Sequence, residues 1–353
     1  MSCSEGLGRC RLGASPYTDF DYPYLWTSEA AGGRWEPSPE TFQVREVPLY
    51  PFSGDGEHAA LVVEKAGVTT RDLALAAAGR LGVPPAAVGY AGMKDKACVS
   101  VQGFTVTGVD EGGAAAAFEA AGARVLSTAR HRNKLRLGHL AGNAFRARLS
   151  GADPGMAAAV LEALGRTGFP NYFGPQRFGA RGDNPVQGVA VLQGRRRVGR
   201  WKRDLLVSAL QAFVCNEVLA RRVEEGTVGV ALEGDVLRRE DSGGLFLCAD
   251  PAVDSERAAA FQVSPTGPLH GRKMVRPAGS PGASEAAVLE ALGLAEELFA
   301  RETGTRRPLR APLRDWGVEA EEGAGCWVSF TCPAGAFATS VIREVLGPRA
   351  GSG

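Results

Sequence analysis

Residues Gly89 to Gln102 read GYAGMKDKACVSVQ, and the rest of the chain makes most sense as a frame around them. Cys98 to Val101 is apolar and β-branched enough to form a buried strand. Before it, after the glycines Gly89 and Gly92, a lone acid, Asp95, stands between Lys94 and Lys96. The spacing predicts a short loop that leads a carboxylate into a strand. Two adjacent cations favour the ionised carboxylate, whereas burial opposes it. Taken alone, the lysine–aspartate–lysine run reads as a solvated loop with a surface ion pair. Three further stretches change that reading.

The whole chain sets bounds first. Its 353 residues, 44% hydrophobic and 22% charged, supply apolar mass for one large or two medium domains. The net charge of +1 does not announce a nucleic-acid binder, so only the distribution of charge can. The seven cysteines (Cys3, Cys10, Cys98, Cys215, Cys248, Cys326, Cys332) are odd in number and include no C-x-x-C pair. That argues for a reducing compartment and against a disulfide framework. His58, His131, His139 and His270 lack zinc spacing, so no metal is expected. No apolar run is long enough for a bilayer, and Met1 to Ala31 lacks the apolar core of a signal peptide. A cytoplasmic protein without membrane association is the expectation, a monomer by default. Met1 to Gly33 reads as a loosely ordered N-terminal extension without an assignable role.

Along the chain, Thr41 to Val47 alternates as a strand with Phe42, Val44 and Glu46 on one face. That face mixes apolar residues with an acid, which hints at a site. Ser53 to His58 is a turn and Ala60 to Glu64 a second strand, so the pair reads as a plain hairpin. Thr69 and Asp72 predict a capping box, with a helix to about Arg80 ended by Gly82. In Ala129 to Leu149, Arg132, Lys134 and Arg136 alternate along one strand face, as do Arg146 and Arg148, with no acid in these segments to balance them. Such a strip is either a solvated face or a track for phosphates, and its density favours the track. Asp153-Pro154 starts a helix that runs to about Gly165.

The second unusual stretch is Gly168 to Gly179, GFPNYFGPQRFG. Glycine lets a ligand approach the backbone, aromatic rings stack on planar groups, and carboxamides read base edges. An aromatic-filled core turn explains the composition equally well. Gly194 to Arg203, with Arg196 and Arg197, is another basic run, and Asp204 to Arg222 an amphipathic helix. Gly234 to Leu237 and Gly244 to Leu247 read as short paired strands, Ser264 to Leu269 as a turn-rich loop, and Ser284 to Arg301 as a helix. Arg306, Arg307, Arg310 and Arg314 crowd the stretch that follows. Gly325 to Thr331 is a strand, and Ala336 to about Val345 the last helix, with Phe337 in its first turn.

Together these stretches resemble the TruD family of tRNA pseudouridine synthases. The likeness rests on Gly92-Met93-Lys94-Asp95 followed by Ser100 and Gln102, and on Asn171 to Gly179 matching N-Y-F-G-x-Q-R-F-G throughout. It rests also on Lys134 to Gly138 with Gly142 to Phe145, on Phe42 and Glu46 with Gly54 to His58, and on Gly335 to Glu344. It runs from about Glu40 to Leu346. The resemblance implies an α+β fold: a pseudouridine synthase-like mixed β-sheet domain, 34–194 plus 313–348, carrying an inserted α/β TRUD domain, 195–312. It implies Asp95 as the catalytic aspartate. Phe42, Asn171 and Phe337 would line the uridine pocket, Phe173 would stack on the target base, and Lys94 and Gln102 would border it. The phosphates of a tRNA partner would meet Arg132, Lys134, Arg136, Arg177, Arg196 and Arg197. Two positions depart from the family: Ser100 stands where Thr is frequent, and Glu36 stands where Lys is frequent. The basic partner of Asp95 is therefore left unassigned.

The implied reaction is an isomerisation, of uridine 13 in the D-arm for this family, in which nothing is oxidised or donated, so no cofactor is expected. Asp95 would attack C1′ as a retaining glycosidase carboxylate does, or take the C2′ proton. The uridine must leave its stack, at a cost of a few kcal/mol that stacking and hydrogen bonds offset. A catalytically idle RNA-binding protein or RNA chaperone on the same scaffold is the competing reading. A small-molecule hydrolase using Asp95 comes third, because it leaves the basic strips unexplained.

Overall fold

The computed structural model describes residues 22–26 and 30–348. The chain divides into two units: a sheet unit of residues 30–165, 313–338 and 345–348, and a helical unit of 22–26, 166–312 and 339–344.

The sheet unit opens with β1, Phe42–Pro48, which buries Val44 and Glu46 and exposes Gln43 and Arg45, as a strand with one solvated face must. β2, His58–Lys65, is an apolar run buried on both faces. The hairpin expected of this pair does not form. After α1, Thr70–Leu81, and β3, Val88–Tyr90, the chain lays β4, Val99–Thr107, between them, parallel to β1 and antiparallel to β2. β4 is buried along most of its length, and its backbone groups need a partner on each edge. α1 begins as its sequence predicts, with the Thr69 hydroxyl accepting from the Asp72 N–H, and Gly82 closes it. The capping box is altered: the Thr69 hydroxyl donates to the Asp72 carboxylate at 2.7 Å. α2, Glu111–Ala120, is capped by Asp110, and β5, Arg124–His131, pairs with β2. β6, Leu140–Ser150, pairs with β1, and α3, Pro154–Thr167, starts from Asp153, whose carboxylate accepts from the Met156 N–H at 2.8 Å.

In the helical unit, β7, Phe169–Pro170, and α4, Asn184–Leu192, precede α5, Arg200–Glu224. α5 was expected over Asp204 to Arg222 as an amphipathic helix. It is longer, and it is buried nearly all round from Leu206 to Val223. β8, Val236–Arg239, and β9, Leu245–Leu247, pair as predicted. α6 spans Pro251–Ala259. The stretch read as a turn-rich loop is instead a strand, β10, Val263–Leu269. Residues 263–265 pair with β8, and 266–269 with the strand Thr305–Pro308. Each half carries one neighbour, so the nitrogens of Pro265 and Pro268 need no ladder partner. α7, Gly279–Ala291, starts earlier than expected and stops before Gly293, whose φ of 68° ends a helix. The strand opposite β10 is β11, and β12, Arg310–Ala311, pairs with β7.

β13, Arg314–Glu321, and β14, Gly325–Pro333, complete a mixed sheet in the order β13-β14-β6-β1-β4-β2-β5, with β3 on β4. The architecture is α+β. α8, Ala338–Leu346, begins later than expected, so Phe337 precedes the helix and does not sit in its first turn. Of the expected N-terminal extension, residues 1–21 and 27–29 lie outside the described residues. Tyr22 is not loose: it is buried and stacks on Tyr172 at 4.9 Å. Cys98, Cys215, Cys248, Cys326 and Cys332 are free and buried, while Cys3 and Cys10 lie outside the described residues. Among the described residues no helix is long and apolar enough to cross a membrane.

Candidate active site

The loop between β3 and β4 is held by every element around it. From the start of α1, the Thr70 N–H donates to the Lys94 carbonyl at 3.2 Å, and the Lys94 N–H returns a bond to the Thr70 hydroxyl at 2.8 Å. From β4, Gln102 accepts from the same hydroxyl through Oε1 at 2.7 Å and donates through Nε2 to the Gly92 carbonyl at 3.1 Å. From β1, Glu46 takes the Lys94 ammonium at 3.0 Å, and both side chains are buried. Gly92 is required here for closeness: a Cβ on it would fall inside the Lys94 ammonium and within 2.8 Å of Glu46 Oε2.

From the end of β2 comes Lys65, which sequence reasoning missed. It is 2% exposed, and its ammonium donates to the carbonyls of Val68, Lys94 and Asp95 at 2.7, 3.4 and 3.1 Å. Burial holds it below the usual lysine range, Cys98 and Asp95 pull it back up, and Lys94 lowers it further. The only sequence signal was a lysine closing an otherwise apolar strand, which also fits an ordinary strand end.

The result is an exposed Asp95 on a fixed backbone. Among the described residues its carboxylate has no hydrogen-bond or ion-pair partner, whereas its carbonyl accepts from Lys65. The side chains of Lys94 and Gln102, expected to border the substrate, are buried and bonded into the loop. Lys94 therefore directs its charge at Glu46, and only the exposed Lys96 remains of the two flanking cations. Phe42 lies two pleats before Glu46 on the same face of β1, with the Trp35 ring edge-on at 5.1 Å and Phe145 stacked at 6.0 Å. Phe337 is half-buried.

The helical unit holds the remaining aromatic candidate. The half-buried Phe173 has the Arg307 guanidinium over its ring at 4.1 Å and that of Arg177 at 5.8 Å. The buried Asn216 fixes its backbone, accepting from the Phe173 N–H at 2.9 Å and donating to its carbonyl at 3.0 Å. The carboxamide of the buried Asn171 is bonded at both ends. Its Oδ1 accepts from Arg307 Nη2 at 2.5 Å and its Nδ2 donates to the Pro308 carbonyl at 3.0 Å, so it orients Arg307. Burial, with Arg177 nearby, pushes the Arg307 guanidinium down to about 10 despite the opposing Cys215. Arg177 is half-buried, and burial lowers it too.

The basic strips need correcting most. Arg132, Lys134 and Arg136 follow β5 in a loop and share no strand face. The missing acids are present, supplied by other segments: Asp55 pairs with Arg132 at 2.7 Å, Glu111 with Arg130 at 3.4 Å, Glu319 with Arg146 at 2.5 Å, and Glu321 with Arg148 at 2.6 Å. Arg306 is buried against Glu285 at 2.6 Å, and the buried Arg310 donates to the carbonyls of Thr167 and Ala258. Arg196 and Arg197 remain exposed.

A family model described as tRNA pseudouridine synthase D (TruD) matches residues 21–199 and 195–345. The tRNA pseudouridine synthase D of Thermus thermophilus is 40% identical over 329 residues, 92% of each chain. That of Anaeromyxobacter dehalogenans is 42% identical over 341 residues, 94% of this chain and 95% of the other. The crystal structure of a putative tRNA pseudouridine synthase D from Methanosarcina mazei shares the fold, with a TM-score of 0.74 at 21% identity over 93% of this chain and 96% of that one.

Proposed function

The chain belongs to the tRNA pseudouridine synthase D (TruD) family, and from that premise we propose that it isomerises a uridine of tRNA to pseudouridine with Asp95 as the reacting carboxylate. The observation that carries this reading is the contrast at Asp95: a backbone fixed by Lys65, Thr70 and Cys98 presents an exposed carboxylate with no partner among the described residues.

The reaction balances without an outside reagent. The N1–C1′ bond breaks and its electron pair leaves with the uracil. Asp95 bonds to C1′ through one oxygen, or removes the C2′ proton. The base turns, C5 bonds to C1′, the aspartate is released or returns its proton, and the C5 hydrogen is exchanged for one on N1. Phe42 lines the uridine side of the sheet unit, and Phe173 stacks a base of the bound RNA, with Arg307 and Arg177 adding positive charge beside it. We take uridine 13 of the D-arm as the target and residues 195–312 as an inserted domain, both supported by the family resemblance, although by contact 166–194 group with 195–312. A cytoplasmic, monomeric enzyme completes the reading.

Unmodified tRNA bearing uridine 13 is incubated with the protein and with Asp95→Asn, and pseudouridine is mapped by position. The parent converts that uridine, while Asp95→Asn loses conversion and keeps its affinity for the tRNA. Conversion by Asp95→Asn at the parental rate would overturn the role of Asp95. Binding without conversion by the parent would leave an idle RNA-binding protein.

A further inference from the structure

The arginines of the sheet unit divide by whether an acid neutralises them. Arg124, Arg130, Arg132, Arg146 and Arg148 each pair with a carboxylate, at 2.9, 3.4, 2.7, 2.5 and 2.6 Å. A guanidinium that already faces a carboxylate gains little by exchanging it for a phosphate. Arg71 and Arg136 differ: both are exposed, and neither has a hydrogen-bond or ion-pair partner among the described residues. Lys134 gives its ammonium only to the neutral carbonyl of Ala86.

What sets these three apart from other unpaired cations is that they meet. Arg71 comes from the first turn of α1, and Lys134 and Arg136 from the loop after β5, and all three line one hollow of about 320 Å³. No acid lines it. Its other walls are aromatic or apolar, Tyr90 and the exposed Leu75 and Leu137 among them. The volume lies within the ~300–1,000 Å³ range of ligand sites, more than a bare phosphate needs. Three cations in one hollow with a ring and aliphatic groups suit a nucleotide: its phosphates on the cations and its base or sugar on the apolar groups.

The hollow is also tied to the candidate active-site loop. The Gly138 N–H donates to the Ala91 carbonyl at 2.9 Å, which fixes the loop carrying Lys134 and Arg136 to the start of the Asp95 loop. Thr70, next to Arg71, is bonded to Lys94 in both directions. We infer that Arg71, Lys134 and Arg136 form a nucleotide-binding hollow that grips the RNA backbone beside the Asp95 loop, while the acid-paired arginines of the same unit do not contact phosphate. The inference rests on the RNA substrate proposed above but not on the isomerisation.

The test is the salt dependence of binding to an unmodified tRNA transcript, with pseudouridine formation measured on the same preparations. The proteins are the parent, Arg71→Gln/Arg136→Gln, and Arg124→Gln as the acid-paired control. Both replaced side chains of the double variant are exposed and unpartnered, and glutamine suits the helical position of Arg71, so folding is not at stake. Each lost phosphate contact lowers the slope of log K against log salt by about 0.7–0.9. The double variant therefore binds more weakly, with a slope shallower by about 1.5, and Arg124→Gln matches the parent. A parental slope in the double variant overturns the inference, as does an equal loss in Arg124→Gln. If the parent binds with the predicted slopes but forms no pseudouridine, the proposed reaction falls and the hollow stands. If it forms pseudouridine and the double variant keeps its slope, the hollow falls alone. Absence of tRNA binding by the parent removes both.

Discussion

Breaking the ion pair between Glu46 and Lys94 should loosen the Asp95 loop by an amount that the geometry sets. The two charges lie 3.0 Å apart with side chains 4% and 6% exposed. At an effective dielectric of about 20, their attraction is roughly 5 kcal/mol, partly offset by the desolvation of both groups. Removing one partner strands the other in a buried position, which costs about 3–5 kcal/mol. Removing both leaves no stranded charge. The expectation for Glu46→Gln and for Lys94→Met is therefore a local destabilisation of about 3 kcal/mol or more, and for the double variant much less than the sum. Hydrogen exchange at the amides of β1 and of the Asp95 loop is the assay, because it reads the free energy of the segments that carry the pair and does not assume one unfolding step for a chain of two units. Pseudouridine formation is followed in parallel, since Lys94 precedes Asp95 and a released loop presents the carboxylate in many positions. The reasoning fails if each single variant loses less than about 1 kcal/mol, as an exposed pair would, or if the two losses simply add.

Two further predictions follow from buried basic groups. Lys65→Met removes the donor to the Val68, Lys94 and Asp95 carbonyls. It should lower kcat on the order of 10²-fold with tRNA affinity unchanged, and an unchanged kcat in the folded variant would refute a positioning role. His270 is 2% exposed, and burial, aided by Arg306 and Arg276, pushes it down to about 4. The unfolded chain then takes up a proton that the folded chain refuses, so stability is present above pH 6.5 and falls as the pH drops from there to about 4. The loss is about 3 kcal/mol. Unfolding of the parent across that window should show it. His270→Leu, which has no ring to titrate, should lose that part of the slope, and an identical slope in the variant counts against the assignment.

The features legible in the sequence are those whose cause is local. Thr69 and Gly82 mark α1 because caps act within a turn of the helix they end, and β8 and β9 pair across a short connection. Glu46 was legible as an anomaly, an acid on an otherwise apolar strand face, though nothing nearby named its partner. That partner is 48 residues away in sequence. β4 between β1 and β2, and β10 with its two prolines, were misread because strand pairing is decided by what lies alongside.

Charge was the least legible property, for the same reason. Ala129 to Leu149 looks like an unbalanced basic strip because its acids sit on other segments: Glu319 is 173 residues from Arg146, and Asp55 is 77 from Arg132. A strand places side chains opposite whichever strand pairs with it, so β13 can neutralise β6 across β14 without leaving a trace near either in sequence. The reverse holds at Asp95, where the sequence supplies two adjacent lysines and the fold turns Lys94 away to Glu46. Local charge counts overestimated the neutralisation of the one carboxylate proposed to react and underestimated that of the arginines proposed to bind. A basic stretch therefore marks a nucleic-acid surface only after the acids that folding brings to it have been subtracted. In the sheet unit the cations that this subtraction leaves include Arg71 and Arg136, which, with Lys134 held only by a neutral carbonyl, line one hollow beside the loop that presents Asp95.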